Sequence, residues 1–234
     1  MNYTLYYSPD SCNLSVRFVL ETLGRPYVDR LVDRSLREHR SESFRKLNPQ
    51  GLLPVLMDGD TTIFETGAIC LYLADRHGAL FPSPQSRQRG QALKWLFFIA
   101  NGLHAELRMY WYAESYSGAE GAAGMRTTLA QRIKHSWRIV EQQLARHGGR
   151  TITGSVVPGI VDFYAAHLAR TSALYPVEMA AMPGDWRFFP HVRQWLAHLQ
   201  TNPAIASACG KEGIAAPFLL EPRRPEMDVR KLVG

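Results

Sequence analysis

The sequence predicts an α/β unit over residues 1–80 followed by an all-helical unit over residues 87–216. In the first unit, segments rich in β-branched and aromatic residues alternate with segments of helical periodicity. Pro and Ser are concentrated between the two units, at residues 81–86, which is typical of a linker. Beyond this linker the large apolar residues recur at helical spacing. Residues 217–234 are rich in Pro and Arg and are interpreted as a C-terminal extension, an extended arm.

The composition favours an ordinary globular protein in a reducing compartment. Of the 234 residues, 46% are hydrophobic and 21% are charged, and neither a membrane-length apolar run nor a secretory signal is present. The three cysteines, Cys12, Cys70 and Cys209, form neither a zinc pattern nor a Cys-x-x-Cys motif. The net charge of +6 is scattered, without the basic stripe of a nucleic-acid-binding protein. We therefore expect a cytoplasmic protein that binds no metal, nucleic acid or membrane.

The junction between the first strand and the first helix carries the most informative residues. Tyr3–Tyr7 reads as a strand, and Gly24 ends a helix whose apolar face is spaced at Val16, Val19, Leu20 and Leu23. Ser11 and Cys12 therefore lie at a helix N-terminus, where an anion is stabilised and the pKa of a cysteine is lowered. The alternative is structural: Ser11 or Asn13 caps the helix and Cys12 fills the core.

In the second unit, apolar spacing predicts helices over residues 88–116, 125–147 and 159–175. A long irregular connection is predicted over residues 176–190. The Asn-Pro pair that follows the next helical pattern predicts the start of a last short helix, over residues 204–209.

Three further positions have more than one interpretation. Pro54 precedes an apolar strand and cannot donate a hydrogen bond to it, so a cis bond would leave the Leu53 backbone free for another partner, whereas a trans bond makes an ordinary turn. Glu65 and Thr66 open a helix, either as caps or as an anion-binding helix start. Asp162 lies in the first turn of the helix over 159–175, where its carboxylate either caps orphan backbone donors, which is the favoured interpretation, or takes part in catalysis.

Three sequence stretches together carry a resemblance to a known family. They are Ser-Pro-Asp-Ser-Cys at 8–12, Asn-Pro-Gln-Gly-Leu-Leu-Pro-Val-Leu at 48–56 and Glu-Thr-Gly-Ala-Ile at 65–69. In an α/β unit followed by an all-helical unit, they resemble the cytosolic glutathione transferases over nearly all of residues 3–216. The resemblance implies a thioredoxin-like domain joined to a helical-bundle domain, a homodimer, and glutathione as co-substrate.

Two groups of classes within that family share further motifs with this chain. Tyr-Tyr-Ser-Pro-Asp-Ser-Cys and the segment ending Asn-Gly-Leu-His are similar to the bacterial beta class, which places an active-site cysteine on Cys12 and an active-site histidine on His104. That class has Lys after the histidine, where this chain has Ala105. Glu-His-Arg-Ser at 38–41 looks like a theta and phi segment, and those classes activate the thiol with a serine, for which Ser11 is the candidate.

The resemblance implies a glutathione site in three parts. Glu65 and Thr66 hold the γ-glutamyl end, and the Leu53 backbone before a cis-Pro54 pairs with the cysteinyl amide. The glycine carboxylate is held by His39, Arg40 and Gln50.

The resemblance also implies an activity. The leading prediction is a transferase that conjugates the glutathione thiolate to small hydrophobic electrophiles, a detoxification reaction, with Ser11 or Cys12 activating the thiol. Candidates for the electrophile pocket, or alternatively for the core, follow His104 in the sequence: Arg108, Tyr110, Trp111 and Tyr112. A thiol–disulfide oxidoreductase acting through Cys12 is one alternative function, and a non-catalytic binding or regulatory protein is the other.

Overall fold

A computed structural model describes residues 3–175 and 184–225. Its four-stranded sheet is built from β1 (Tyr3–Tyr7), β2 (Tyr27–Leu31), β3 (Val55–Asp58) and β4 (Thr61–Phe64). The strand order is β2-β1-β3-β4, with β1 parallel to β2 and antiparallel to β3, and with β4 antiparallel to β3. The hairpin predicted from its Asp-Gly turn is present, and Gly59 adopts φ 58° there.

Three helices accompany the sheet: α1 (Asn13–Leu23), α2 (Glu42–Leu47) and α3 (Thr66–His77). A short 3-10 turn over Glu38–Arg40 precedes α2. Helix α1 ends where predicted, because Gly24 adopts the left-handed conformation, with φ 60°, and closes the last turn with its backbone N–H. Helix α1 packs against α3 and also against α7 and α9 of the helical part, so its N-terminus lies between the two parts of the molecule.

The remaining elements are helical. They are α4 (Arg89–Phe97), a π-helical segment (Phe98–His104), α5 (Ala105–Trp111), α6 (Ala113–Arg146), α7 (Ile160–Ser172), a 3-10 turn (Trp186–Phe188), α8 (Pro190–Leu199) and α9 (Pro203–Lys211). Every residue of α7 is buried, as its nearly uniform apolar sequence predicts. Residues 81–86 contain neither helix nor strand, and the boundaries of the two units stay a prediction.

The predicted helices over 88–116 and 125–147 have the wrong boundaries. The chain leaves helical geometry at Tyr112, with φ −115° and ψ 36°, and α6 then begins at Ala113. Gly118, with φ 70° and ψ 170°, interrupts α6. Residues 114–121 are exposed and therefore carry no apolar stripe, so helical periodicity does not reveal that this stretch is helical.

Asp162 has the structural role predicted for it. Its carboxylate accepts hydrogen bonds from the backbone of Gly159 at 3.0 Å and of Ile152 at 2.8 Å, and from the indole of Trp195 at 3.0 Å. Burial nevertheless raises the pKa of Asp162 to about 6. The carboxylate ties α7 to the preceding loop and to α8.

The described part of the predicted C-terminal extension, residues 217–225, contains neither helix nor strand and packs against the helical part. Leu219 is fully buried, and the carbonyls of Phe218 and Arg223 accept hydrogen bonds from Arg170 at 2.7 and 2.6 Å. The described tail is therefore packed on α7. Residues 176–183 of the predicted irregular connection and 226–234 of the predicted extension lie outside the described residues.

Candidate active site

The loop between β1 and α1 is held by buried charges from the helical part. Asp10 forms an ion pair with Arg170 at 2.7 Å, and neither side chain is exposed to solvent. The backbone N–H of Asp10 donates to Glu212 at 2.8 Å, and the side-chain amide of Asn13 donates to the same carboxylate at 2.7 Å. Ser11 and Cys12 lie between these two anchors, so Arg170 on α7 and Glu212, directly after α9, set their position.

Cys12 and His104 lie next to each other, as the resemblance to the beta class implies. The Sγ atom of Cys12 is 3.3 Å from Nε2 of His104, and Nδ1 of the same imidazole is 2.6 Å from the hydroxyl of Tyr164. His104 is the last residue of the π-helical segment, a rare conformation that is frequent at functional sites. Tyr164 was missed from the sequence, because a tyrosine in a uniformly apolar helix reads as core.

The predicted lowering of the pKa of Cys12 is wrong. Burial raises the pKa of this thiol to about 11, although the guanidinium groups of Arg108 and Arg34 act in the opposite direction. Burial also lowers the pKa of His104 to about 4. The desolvation of the thiol outweighs the helix N-terminus and the nearby cations. At neutral pH, Cys12 is therefore a thiol and His104 a neutral imidazole.

The hydroxyl of Tyr164 determines which nitrogen of His104 carries the hydrogen. Burial raises the pKa of Tyr164 well above its ordinary value, so the phenol keeps its proton, and Thr66 is a further hydrogen-bond partner of its oxygen. We assign the tyrosine O–H as donor to Nδ1 of His104, which leaves the hydrogen on Nε2. The imidazole then presents an N–H toward the sulfur of Cys12.

A cavity of about 520 Å³ opens in front of Cys12. Six of the ten predicted site residues line it: Ser11, Cys12, His39, Arg40, Leu53 and His104. The other four lie outside its lining: Gln50, Pro54, Glu65 and Thr66. Gln50 and Glu65 meet with 3.5 Å between the amide nitrogen and a carboxylate oxygen. Thr66 is buried beside Tyr164.

The backbone around these residues has two unusual features. The Leu53–Pro54 bond is cis, as the resemblance implies. Glu65 is the N-cap of α3 and has φ 73°, a conformation that non-glycine residues adopt mainly at functional sites. Neither Glu65 nor Cys12 caps its helix through the side chain. The hydroxyl of Ser11 donates to the side-chain oxygen of Asn13 and is thereby engaged within the loop.

Aromatic residues form the wall of the cavity opposite the sheet. Of the aromatic residues predicted for the electrophile pocket or the core, Trp111 and Tyr112 line the cavity, whereas Tyr110 is only 3% exposed and belongs to the core. Sequence reasoning missed several other lining residues, which the fold brings in from distant segments: Arg34, Tyr116, His167, Thr171 and Tyr175.

Residues 3–175 and 184–225 were searched for metal-binding groups and for helices that could cross a membrane. No group of His, Cys, Asp and Glu side chains in these ranges is arranged to hold a metal ion. No helix there is both long and apolar enough to cross a membrane.

The sheet order and the helical part define a thioredoxin-like domain joined to a helical domain, which is the glutathione S-transferase fold. Residues 1–75 match the family model described as glutathione S-transferase, N-terminal domain. A carnation (Dianthus caryophyllus) glutathione S-transferase 1 is 29% identical, over 76% of this chain and 80% of the relative. These matches support a relationship between this chain and the glutathione S-transferase family.

Further relatives differ in what they do. The transcriptional regulator URE2 of Saccharomyces cerevisiae is 26% identical, over 88% of this chain and 67% of the relative. A Burkholderia graminis glutathione transferase structure with two glutathione molecules per subunit is 27% identical, with a TM-score of 0.75 and coverage of 93% and 89% of the two chains. A Pseudomonas fluorescens family member with two glutathione bound is 25% identical, with a TM-score of 0.75 and coverage of 88% and 91%.

Proposed function

We propose that this protein binds glutathione in the cavity and transfers its sulfur to small hydrophobic electrophiles. The observation that carries the proposal is the hydrogen-bonded chain from Tyr164 through His104 to the sulfur of Cys12, at 2.6 and 3.3 Å. It ends in a cavity that is also lined by three of the residues proposed to hold glutathione, His39, Arg40 and Leu53. The structures with bound glutathione are similar over most of their length.

The glutathione site that we propose combines residues that line the cavity with residues that lie outside its lining. Glu65 and Thr66, at the start of α3, hold the γ-glutamyl end, where the helix N-terminus favours a carboxylate. The Leu53 backbone pairs with the cysteinyl amide. The glycine carboxylate binds to His39, Arg40 and Gln50. Burial and three neighbouring arginines, Arg34, Arg40 and Arg37, lower the pKa of His39, so it acts as a neutral hydrogen-bond donor.

The chemistry follows from the protonation states. The Nε2–H of His104 donates to the sulfur of Cys12. The neutral Cys12 in turn donates its S–H toward the sulfur of a bound glutathione, which stabilises the glutathione thiolate. With an aryl chloride, the thiolate forms a sulfur–carbon bond, the carbon–chlorine bond breaks, and chloride leaves with the bonding pair. The thiol proton is released to solvent. Cys12 is the better donor of the two candidates because the Ser11 hydroxyl is already engaged with Asn13.

Thiol–disulfide exchange is a second candidate, favoured by a cysteine that faces the cavity beside a histidine. In this reaction the Cys12 thiolate attacks a glutathione mixed disulfide, forms a disulfide with the glutathionyl sulfur and releases the other thiol. A second glutathione then attacks this disulfide, which releases oxidised glutathione and restores Cys12. The raised pKa of Cys12 disfavours this route, since it leaves little thiolate at neutral pH. A regulatory role without turnover is a third candidate, because URE2 is a relative.

The test combines turnover and mass. The purified protein is assayed with reduced glutathione and 1-chloro-2,4-dinitrobenzene, and we expect conjugation that falls in His104→Ala. In parallel, wild type and Cys12→Ala are incubated with oxidised glutathione, and intact masses are recorded. A glutathionyl adduct on the wild type alone, without conjugation, would overturn the proposal in favour of exchange. Glutathione binding with neither reaction would favour the regulatory role. We further propose a cytoplasmic homodimer acting in detoxification.

A further inference from the structure

Two arginines from different parts of the molecule approach the same tyrosine at the cavity. Arg34 follows β2, and its Nη2 atom donates to the hydroxyl of Tyr112 at 3.2 Å. The guanidinium carbon of Arg108, on α5, lies 5.4 Å from the centroid of the Tyr112 ring. The Nε atom of Arg108 donates to the hydroxyl of Tyr116 at 3.2 Å. All four side chains line the cavity that contains Cys12.

The positive charge of Arg108 is not matched by a carboxylate within the part of the chain that the structure describes. Its hydrogen-bonding partner there is the neutral Tyr116. The cavity lining includes one carboxylate, Asp10, and both of its oxygens are occupied by Arg170, at 2.7 and 3.1 Å, while Tyr175 donates to one of them at 3.2 Å. Among the described residues that line the cavity, the wall around Arg108 is therefore cationic, and no acidic side chain pairs with Arg108.

The position of Arg108 relative to His104 indicates what this charge binds. Arg108 lies one helical turn beyond His104 and projects from the helical part, whereas the proposed glutathione carboxylate ligands belong to the sheet side. A guanidinium matches the planar geometry of a carboxylate and binds it through two hydrogen bonds. The aromatic rings of Trp111 and Tyr112 beside it suit a flat apolar body.

We propose that the second substrate is an aromatic or similarly flat electrophile that carries a carboxylate, and that Arg108 binds this carboxylate, with Arg34 adding a second positive charge across Tyr112. This inference rests on the proposed conjugation and names its substrate class. Arg108 is then a specificity-determining residue in addition to its electrostatic effect on the thiol of Cys12.

The two effects of Arg108 are separable, because an effect on the thiol is absent when the sulfur is already alkylated. We would measure, by calorimetry, the binding of two product conjugates: S-(4-carboxy-2-nitrophenyl)glutathione and S-(2,4-dinitrophenyl)glutathione. They share the glutathione part and the nitrophenyl ring. At position 4 of the ring, the first conjugate carries a carboxylate and the second carries a nitro group. The proteins are wild type, Arg108→Gln and Arg108→Lys, with Arg138→Gln as the control for loss of an exposed arginine away from the cavity.

We expect Arg108→Gln to weaken binding of the carboxylate conjugate by about tenfold, the effect of one lost charge-assisted hydrogen bond, and to change the dinitrophenyl conjugate by less than about twofold. Arg108→Lys should keep part of the preference, and Arg138→Gln all of it. Equal weakening of both conjugates, or no weakening of either, would overturn the inference. Retained binding of the dinitrophenyl conjugate shows that the variant is folded; if it is lost, Arg34→Gln is the second variant, with the same selective loss expected.

Turnover is measured separately on wild type with 1-chloro-2,4-dinitrobenzene and 4-chloro-3-nitrobenzoate. A protein that turns over neither, yet binds the carboxylate conjugate through Arg108, would refute conjugation and uphold the carboxylate site. If the protein turns over both substrates and Arg108→Gln binds the carboxylate conjugate as tightly as wild type does, conjugation is upheld and the carboxylate site is refuted.

Discussion

The hydroxyl of Tyr164 lies 2.6 Å from Nδ1 of His104, and this contact orients the imidazole toward the sulfur of Cys12. It joins a buried position of α7 to the end of the π-helical segment, so the donor that faces the thiol is set by a residue outside the cavity lining. Partners of this kind act by fixing a tautomer and an angle.

Replacing Tyr164 tests this relationship. In Tyr164→Phe the Nδ1 atom of His104 loses its donor, the hydrogen is no longer held on Nε2, and we expect kcat/KM for conjugation to fall by about tenfold. The measurement is the initial rate with 1-chloro-2,4-dinitrobenzene. Tyr110→Phe is the matched control, because it removes the hydroxyl of another buried tyrosine, outside the cavity. Equal rates in Tyr164→Phe and wild type would contradict the assigned tautomer.

The high pKa of Cys12 makes a prediction about alkylation. Since burial raises this pKa to about 11, the thiolate fraction is small at pH 7 and increases toward pH 11, and we expect the rate of modification by iodoacetamide to rise throughout that range. Mass spectrometry of the intact protein follows the reaction. Cys12→Ala supplies the background from Cys70 and Cys209, which are buried. A rate that levels off below pH 8 would mean that the thiol is acidic after all.

The pair formed by Asp10 and Arg170 should be important for stability as well as for the site. Asp10→Asn leaves a buried guanidinium without its counter-charge, and we expect the free energy of unfolding to fall by about 3–5 kcal/mol. Urea denaturation measures this change. Asp185→Asn removes the partner of Arg187 in an exposed pair and should cost about 0–1 kcal/mol. Similar losses of unfolding free energy in the two variants would show that the buried pair contributes no more to stability than the exposed pair.

His167 provides a prediction about pH. Burial lowers its pKa from 6.5 to about 3, and neither ring nitrogen has a hydrogen-bond partner in the described structure. Between pH 6.5 and 3 the unfolded chain binds a proton here that the folded protein does not, so stability falls as the pH falls through this window. Between pH 7 and 5 the loss due to this residue is about 2 kcal/mol.

The variant His167→Leu should therefore lose less stability than wild type between pH 7 and pH 5. Urea denaturation at the two values checks this, with His135→Gln as the control for an exposed histidine. An identical loss in wild type and His167→Leu would mean that His167 is protonated in the folded protein.

The sequence predicts those features of the site that depend on local pattern. The strand-to-helix junction was sufficient to place Cys12 at a helix N-terminus, and an Asp three residues after Gly159 was sufficient for the α7 cap. His104 was named only through the resemblance to the beta class. The predicted direction of the pKa shift at Cys12 was wrong because the shift depends on how strongly the folded protein desolvates the thiol, and motif spacing carries no information about desolvation. Arg34 and Tyr164 were missed for a related reason, since packing between distant segments brings them to the site.

The residues that support the loop of Cys12 also order its assembly in time. Asp10 is anchored by Arg170 and Glu212, and Arg170 in turn holds carbonyls of Phe218 and Arg223. Arg170 follows Asp10 by 160 residues and Glu212 follows it by 202. The ribosome therefore makes the loop well before its anchors, and the loop of a nascent chain lacks both ties until Glu212 has been synthesised.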